Sequence, residues 1–225
     1  MESSRKVYTR AAHQYDYIMG IDEVGLGAIA GPIYYAGVVF AKDQEISPLV
    51  RDSKSVTGKN APLLREGAYW FVRASSLGYV HTRFDWDHDP DLYSHLDSCV
   101  AQVIENTFAQ CQTHVTPLNT LVVVDGNRVP DVGTVPYKIV AIPKADAVVP
   151  SVSAASCLAK HLRDEEMIRY DVPGFSFDKH KGYPTAQHFS ELAEHGVTEF
   201  HRPNVISLLE DRKIDVRQYQ AQSAG

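Results

Sequence analysis

The chain has 225 residues, 44% of them hydrophobic and 22% charged, and a formal net charge of −6. That is the composition of a soluble globular protein with room for a substantial core, and the acidic balance argues against a histone-like, non-specific DNA binder while permitting a local basic surface. No apolar run reaches the roughly 18 residues that a membrane-spanning helix needs. The opening stretch "MESSRKVYTRAAHQYDY" has no apolar core behind its basic residues, so it does not read as a secretory signal and a cytoplasmic location is expected. Cys99, Cys111 and Cys157 are odd in number and widely spaced in apolar helical patterns, which suits reduced packing thiols.

In chain order, "YDYIMGID" and "PIYYAGVVF" predict two strands joined by a glycine-rich turn, the second too apolar for an outer edge. "APLLREGAYWFVRASS" has helical spacing, and "GYVHTRF" alternates as a third strand. Asp89-Pro90 then fits a helix cap, followed by the stripe Leu92, Leu96, Val100, Val103, Ile104, Phe108, Cys111 of a helix laid on a sheet. "LNTLVVVDGN" and "YKIVAIP" predict two more strands, and "SVSAASCLAKHLRDEEMIRY" a helix whose small residues suit close packing on a sheet. From "GFSFDKHKGYPTAQHFSELAEHG" onward short helices alternate with loops. With no repeat or linker, the pattern predicts one mixed α/β domain over residues 16–212, between an N-terminal extension (1–15) and a polar, frayed tail (213–225).

Asp22 and Glu23 end the first strand, Asp125 ends "LVVVD", and Asp146 follows the strand "KIVAIP" closely. The carboxyl edge of an open α/β sheet is where such sheets bind ligands. A single Asp before Gly is more often a turn former than a ligand, but three strand ends sharing the feature shift the weight toward a site. Clustered carboxylates repel, and a divalent cation relieves that repulsion; oxygen donors without Cys or paired His point to Mg²⁺ or Mn²⁺. Adjacent residues of a regular strand face opposite sides, so sharing one site requires Asp22 and Glu23 to sit at a bend, which Gly25 and Gly27 make plausible.

Two decoys fail. "GLGAIAG" has the wrong glycine spacing for a dinucleotide loop and leads into a strand, and "DWDHDPD" lacks the glycine and the glutamate of a calcium loop. In "FDKHKGYPT", by contrast, Lys179, His180 and Lys181 beside Tyr183 offer cations and a stacking ring to a nucleic-acid backbone, though His-Lys runs are usually solvated loops. Lys54, flanked by the hydroxyls of Ser53, Ser55 and Thr57, and Arg202 in "FHRPNV" are further phosphate candidates.

Taken together, "GIDEVGLGAIAGP", "DSKSVTGK", "VVVDGNRVP", "KADAVVPSVSAASCLAKHLRDEEM", "FDKHKGYPTAQHFSELAEHG" and "HRPNV" resemble ribonuclease HII, the type 2 ribonuclease H, from about residue 16 to residue 206. The resemblance implies a ribonuclease H-like fold: a five-stranded mixed sheet flanked by helices, with a helical C-terminal part that helps hold a duplex. It implies a metal-dependent endonuclease that cuts the RNA strand of RNA–DNA hybrids, and cuts 5′ of ribonucleotides embedded in duplex DNA. The products carry 3′-hydroxyl and 5′-phosphate ends. Roles in removing misincorporated ribonucleotides and RNA primers during DNA replication follow, for an enzyme expected to act as a monomer. The family's four active-site acids fall on Asp22, Glu23, Asp125 and Asp146, holding two Mg²⁺ or Mn²⁺ ions. Its sugar-stacking tyrosine falls on Tyr183 and its phosphate-contacting lysine on Lys54; Ser53, Lys181 and Arg202 are further expected nucleic-acid contacts. The family's Gly-Arg-Gly, which reads the ribose 2′-hydroxyl and a neighbouring phosphate at the RNA–DNA junction, is here Gly25-Leu26-Gly27, and its His-Arg-Arg is His201-Arg202-Pro203. Leucine cannot supply the charged phosphate contact. An enzyme with full junction readout and one that cuts hybrids with reduced junction specificity are both compatible with these residues. A non-catalytic hybrid binder is disfavoured, because clustered carboxylates add nothing to binding a polyanion.

Overall fold

The apolar runs form five strands, β1 Tyr17–Val24, β2 Ile33–Ala41, β3 Gly78–Phe84, β4 Thr120–Asp125 and β5 Lys138–Ile142, in one sheet of order β3-β2-β1-β4-β5. The structure is a computed structural model and describes residues 3–50, 61–85, 92–203 and 205–212. Central β1 runs antiparallel to β2 and parallel to β4, and β4 runs parallel to β5. The sheet is therefore mixed, as expected. The helices are α1 Ser4–Ala12, α2 Ala61–Ser75, α3 Leu92–Gln110, α4 Pro150–Ile168, α5 Phe177–His180, α6 Ala186–His195 and α7 Val205–Asp211, with one 3₁₀ turn at Ala145–Ala147.

Two glycines set how closely the helices approach the sheet. A Cβ on Gly20 would lie 2.1 Å from the backbone nitrogen of Val152, and one on Gly37 would lie 2.3 Å from Thr107 Oγ1. Gly37 pairs with Ile21, so Gly20 and Gly37 point to opposite faces. Helix α4 thus lies on the Gly20 face and α3 on the other. The small residues that open α4 are what allow backbone to meet backbone there. Burial pushes the Cys99 thiol on α3 up to about 12, as befits an inert packing group.

The N-terminal extension holds a helix that the sequence pattern does not announce. In α1, Val7, Tyr8, Ala11 and Ala12 pack with Ile18, Leu121, Val123, Ile142 and Val149 on the α4 side of the sheet. Helix α1 is short and polar on average, and this docking face stabilises it more than propensity does.

Packing divides the described residues into two compact units. The first comprises those of Met1–Val24, Tyr34–Phe84 and Asp89–His161, hence the sheet, α1 to α3 and the start of α4. The second comprises those of Gly25–Ile33, Asp85–His88 and Leu162–Gly225, hence the loop after β1, the end of α4, and α5 to α7. Its core joins Ile29 to Phe189, Leu192, Val205 and Leu209, and Ala30 to Met167 and Phe177. No helix among the described residues is long and apolar enough to cross a membrane. The expected cap at Asp89-Pro90, Ser53 and Lys54, and the tail from residue 213 lie outside the described residues.

Candidate active site

Asp125 ends β4, and Asp22 lies on the neighbouring parallel β1 just past the last row that pairs with β4, two residues before β1 ends at Val24. The last paired row is Ile21–Val124, so the two acids stand one row beyond it, in register and on the same face, on strands about 4.8 Å apart. Asp22 is 1% exposed, and its Oδ1 accepts the Glu23 N–H at 2.9 Å. Asp125 Oδ1 accepts the Ala145 N–H at 2.7 Å, which ties the end of β4 to the 3₁₀ turn carrying Asp146. Lys144, in the left-handed conformation (φ 56°), makes the turn into that segment. Asp146 also lines a cleft of about 450 Å³ with Arg5, Tyr8, Lys42 and Ser153.

Glu23 stands differently. β1 stays paired with β2 through Val24–Tyr34, so the bend falls after the acid pair, at Gly25 with φ 97°, and not between the two acids. Strand alternation then puts Glu23 on the α3 face, opposite Asp22. It pairs there with Tyr35, whose phenol is pushed up by burial first, then by Glu23, with smaller contributions from Cys99, Asp22 and Asp97. Asp97 on α3 is held by both terminal nitrogens of Arg128, one at 2.8 Å. Among the described residues no group of three or more His, Cys, Asp and Glu side chains is placed to hold one metal ion. The fold brings Asp22 and Asp125 together and ties the Asp146 turn to them, while Glu23 faces away. The donor set itself suits a hard cation: carboxylate oxygens, one of them buried, for which a divalent charge offsets the repulsion of a neighbouring acid.

In the second unit two buried guanidinium groups brace the loop that follows β1. Arg163 on α4 is 0% exposed and donates from Nε to Pro32 O (2.8 Å), from Nη1 to Lys181 O (2.8 Å) and from Nη2 to Ala30 O (3.1 Å). Arg202, read from the sequence as a phosphate contact, is 2% exposed. It donates from Nη1 to Leu26 O at 3.1 Å and from Nε and Nη2 to Gly31 O at 3.0 and 2.9 Å. Burial pulls it down to about 10, with Arg163 adding to the effect. Its place is inside the loop, because the loop's carbonyls need donors that the turn cannot supply from its own backbone. Leu26 is 37% exposed, and Gly27 is exposed beside it.

The "DKHKGY" stretch is less cationic than it reads. Lys179 is exposed and Lys181 half-buried, its ammonium donating to Asp178 O, but His180 is buried with Nε2 2.8 Å from Glu191 Oε2. Burial lowers the His180 pKa, against the pull of Glu191. Tyr183 is half-buried; the Arg163 guanidinium lies 5.1 Å from its ring centroid, and its N–H donates to His180 O at 2.9 Å. Sequence reasoning missed Arg163 and His188, and with them the burial of His180 and His201. The only sequence signal for Arg163 is a charged residue on an otherwise apolar helix position, and the three histidines share no period.

The ribonuclease HII family model matches residues 19–207. A ribonuclease HII from Cupriavidus pinatubonensis is 38% identical over 188 residues, covering 83% of this chain and 82% of that protein. Among solved structures, the ribonuclease HII of the PCNA:RNase HII complex from Archaeoglobus fulgidus has a TM-score of 0.67 at 23% identity, over 90% of this chain and 100% of that one. Bst-RNase HIII in complex with Mn²⁺ has a TM-score of 0.56 at 20% identity, over 83% of this chain and 65% of that one. These two share the fold. The family match over most of the length, together with the 38% identity, places the chain in the ribonuclease HII family, as a hydrolase with ribonuclease H activity.

Proposed function

We propose that the protein is a metal-dependent endonuclease that cuts the RNA strand of RNA–DNA hybrids and cuts 5′ of single ribonucleotides in duplex DNA. One observation carries the reading: Asp22 and Asp125 each stand one row beyond Ile21–Val124, the last paired row of the adjacent parallel strands β1 and β4, with Asp125 bonded to the turn that holds Asp146. Asp22, Asp125 and Asp146 would hold Mg²⁺ or Mn²⁺, with Glu23 joining them once its side chain turns from the α3 face toward the sheet's edge, and the Mn²⁺ complex of a related fold is in keeping with that chemistry. When bound, two such ions would lower the pKa of an attacking water and offset charge on the leaving 3′ oxygen. The chain's own part is to hold Asp22 in a buried position, to anchor Asp125 through the Ala145 N–H, and to present Tyr183 and the Gly25–Gly27 loop to the duplex. Removal of misincorporated ribonucleotides and RNA primers is the role that this activity serves.

A second reading keeps hybrid cleavage and loses junction selectivity, favoured by the partly exposed leucine at position 26 where the family carries arginine. Cleavage of three duplexes, a full hybrid, one with a single ribonucleotide and all-DNA, with Mg²⁺ and with chelator, separates the two. Asp125→Asn keeps an Oδ1 acceptor for the Ala145 N–H, so the fold should persist while Mg²⁺-dependent cleavage is lost; wild-type rates in this variant would remove Asp125 from the site.

A further inference from the structure

A string of hydrogen bonds through two buried histidines ends on the backbone of Tyr183. His188 Nδ1 lies 2.9 Å from Tyr183 O, so it must carry the proton and donate. His188 Nε2 is then an acceptor. It faces His201 Nε2 at 3.0 Å, which must therefore donate, and His201 Nδ1 accepts the Thr198 N–H at 2.9 Å. Each contact fixes the next, and both rings are neutral. His180 stacks on His188 with centroids 3.9 Å apart and rings 13° from parallel, and its Nδ1 accepts the Gly182 N–H at 3.1 Å. Gly182 O accepts from Ile29 N (2.9 Å) and Ala30 N (3.2 Å), and a Cβ on Gly182 would lie 2.3 Å from Ala30 O. The turn Lys181–Tyr183 is thus fastened both to the loop after β1 and to the histidine string.

We infer that His188 is a positioning residue: through its Nδ1–H it sets the backbone of Tyr183, with His201 holding it in the donating tautomer. This rests on the proposed reading of Tyr183 as a substrate contact. Nothing about the string suits it to bind a ligand itself, since His188 is 0% exposed and both its nitrogens are engaged. Its value is directional. A neutral imidazole donates at one end only, so the carbonyl of Tyr183 is held at one angle while the ring is held by Arg163.

The test separates the two ends of the imidazole. His188→Gln retains an acceptor toward His201 and loses the donor toward Tyr183, whereas His188→Asn retains a donor at the Nδ1 position. Single-turnover cleavage of a duplex with one ribonucleotide, at saturating enzyme, should fall roughly 10- to 100-fold in His188→Gln while duplex Kd changes little, and His188→Asn should recover most of the rate. In a Tyr183→Ala background the His188→Gln effect should vanish. Equal losses in the two His188 variants, or an undiminished His188→Gln effect in that background, would overturn the inference. If Tyr183→Ala alone leaves the rate unchanged, it is the substrate-contact reading that fails. Amide exchange then decides the positioning: protection of the Tyr183 N–H should drop in His188→Gln and persist in His188→Asn, and equal protection in both would refute it.

Discussion

Arg163→Met tests whether a buried cation holds the second unit's loops together. The substitution leaves the carbonyls of Ala30, Pro32 and Lys181 without the donors that now reach them at 3.1, 2.8 and 2.8 Å. Leaving a buried acceptor unserved costs about 1–3 kcal/mol, so three of them set a gross loss of about 3–9 kcal/mol. Against this stands the relief of desolvating a guanidinium that meets only carbonyls in these three bonds; its pKa is lowered, chiefly by burial. The net expectation is a loss of about 3–5 kcal/mol. With a urea slope of about 2–3 kcal/mol per molar, that moves the unfolding midpoint down by about 1–2 M. Arg163→Lys should lose nearly as much, because one ammonium on a single stem cannot reach three carbonyls that a planar fork spans. Equilibrium urea unfolding followed by far-UV circular dichroism measures both. A methionine variant within about 0.3 M of wild type would mean that the loops satisfy their own carbonyls and that the guanidinium is incidental.

Stability should also fall on the acid side of neutrality. Burial pulls His188 down to about 4 and His201 to about 3, so the unfolded chain binds protons that the folded chain refuses as pH drops below the ordinary histidine value. His188 alone then removes about 2 kcal/mol between pH 7 and pH 5, in a setting where His180, Glu191 and His201 are the neighbouring ionisable groups. Equal urea midpoints at the two pH values would contradict this, and His188→Asn should flatten the slope. Leu26→Arg should raise cleavage at a single ribonucleotide relative to continuous hybrid by roughly tenfold to a hundredfold, the value of one charged hydrogen bond made mainly in the transition state. A flat ratio in a variant of normal melting temperature would show that residue 26 does not read the junction.

The sheet was legible because each strand is a short β-branched or aromatic run bounded by turn residues; α3 carries an apolar stripe, and small residues mark the start of α4. The approach of Asp22 to Asp125 was legible for a related reason: each acid follows an apolar run, and the parallel ladder of β1 and β4 stops just before both of them. Glu23 was not, because its orientation depends on whether the strand bends before or after it, and β1 stays paired to Val24. Helix α1 escaped notice since its stability comes from the surface it docks on. Arg202 and His180 were misread for one reason. A cation or imidazole in a polar stretch looks solvated until the chain folds, and only the fold reveals which carbonyls and carboxylates lack a partner.

That last point bears on the loop Gly25–Pro32, where the resemblance to the family implies arginine and this chain has Leu26. The carbonyls of Leu26, Ala30, Gly31 and Pro32 are held by Arg163 and Arg202, and the amides of Ile29 and Ala30 by Gly182 O. The side chain of residue 26 takes part in none of these bonds and is 37% exposed. The loop's conformation is therefore set by donors and acceptors from α4, the Gly182 turn and the segment before α7, not by the residue between its two glycines. A leucine at position 26 can replace arginine without reshaping the loop. What changes is only the group the loop presents at its tip, which is why the ratio of junction to hybrid cleavage, and not stability, is where this substitution should register.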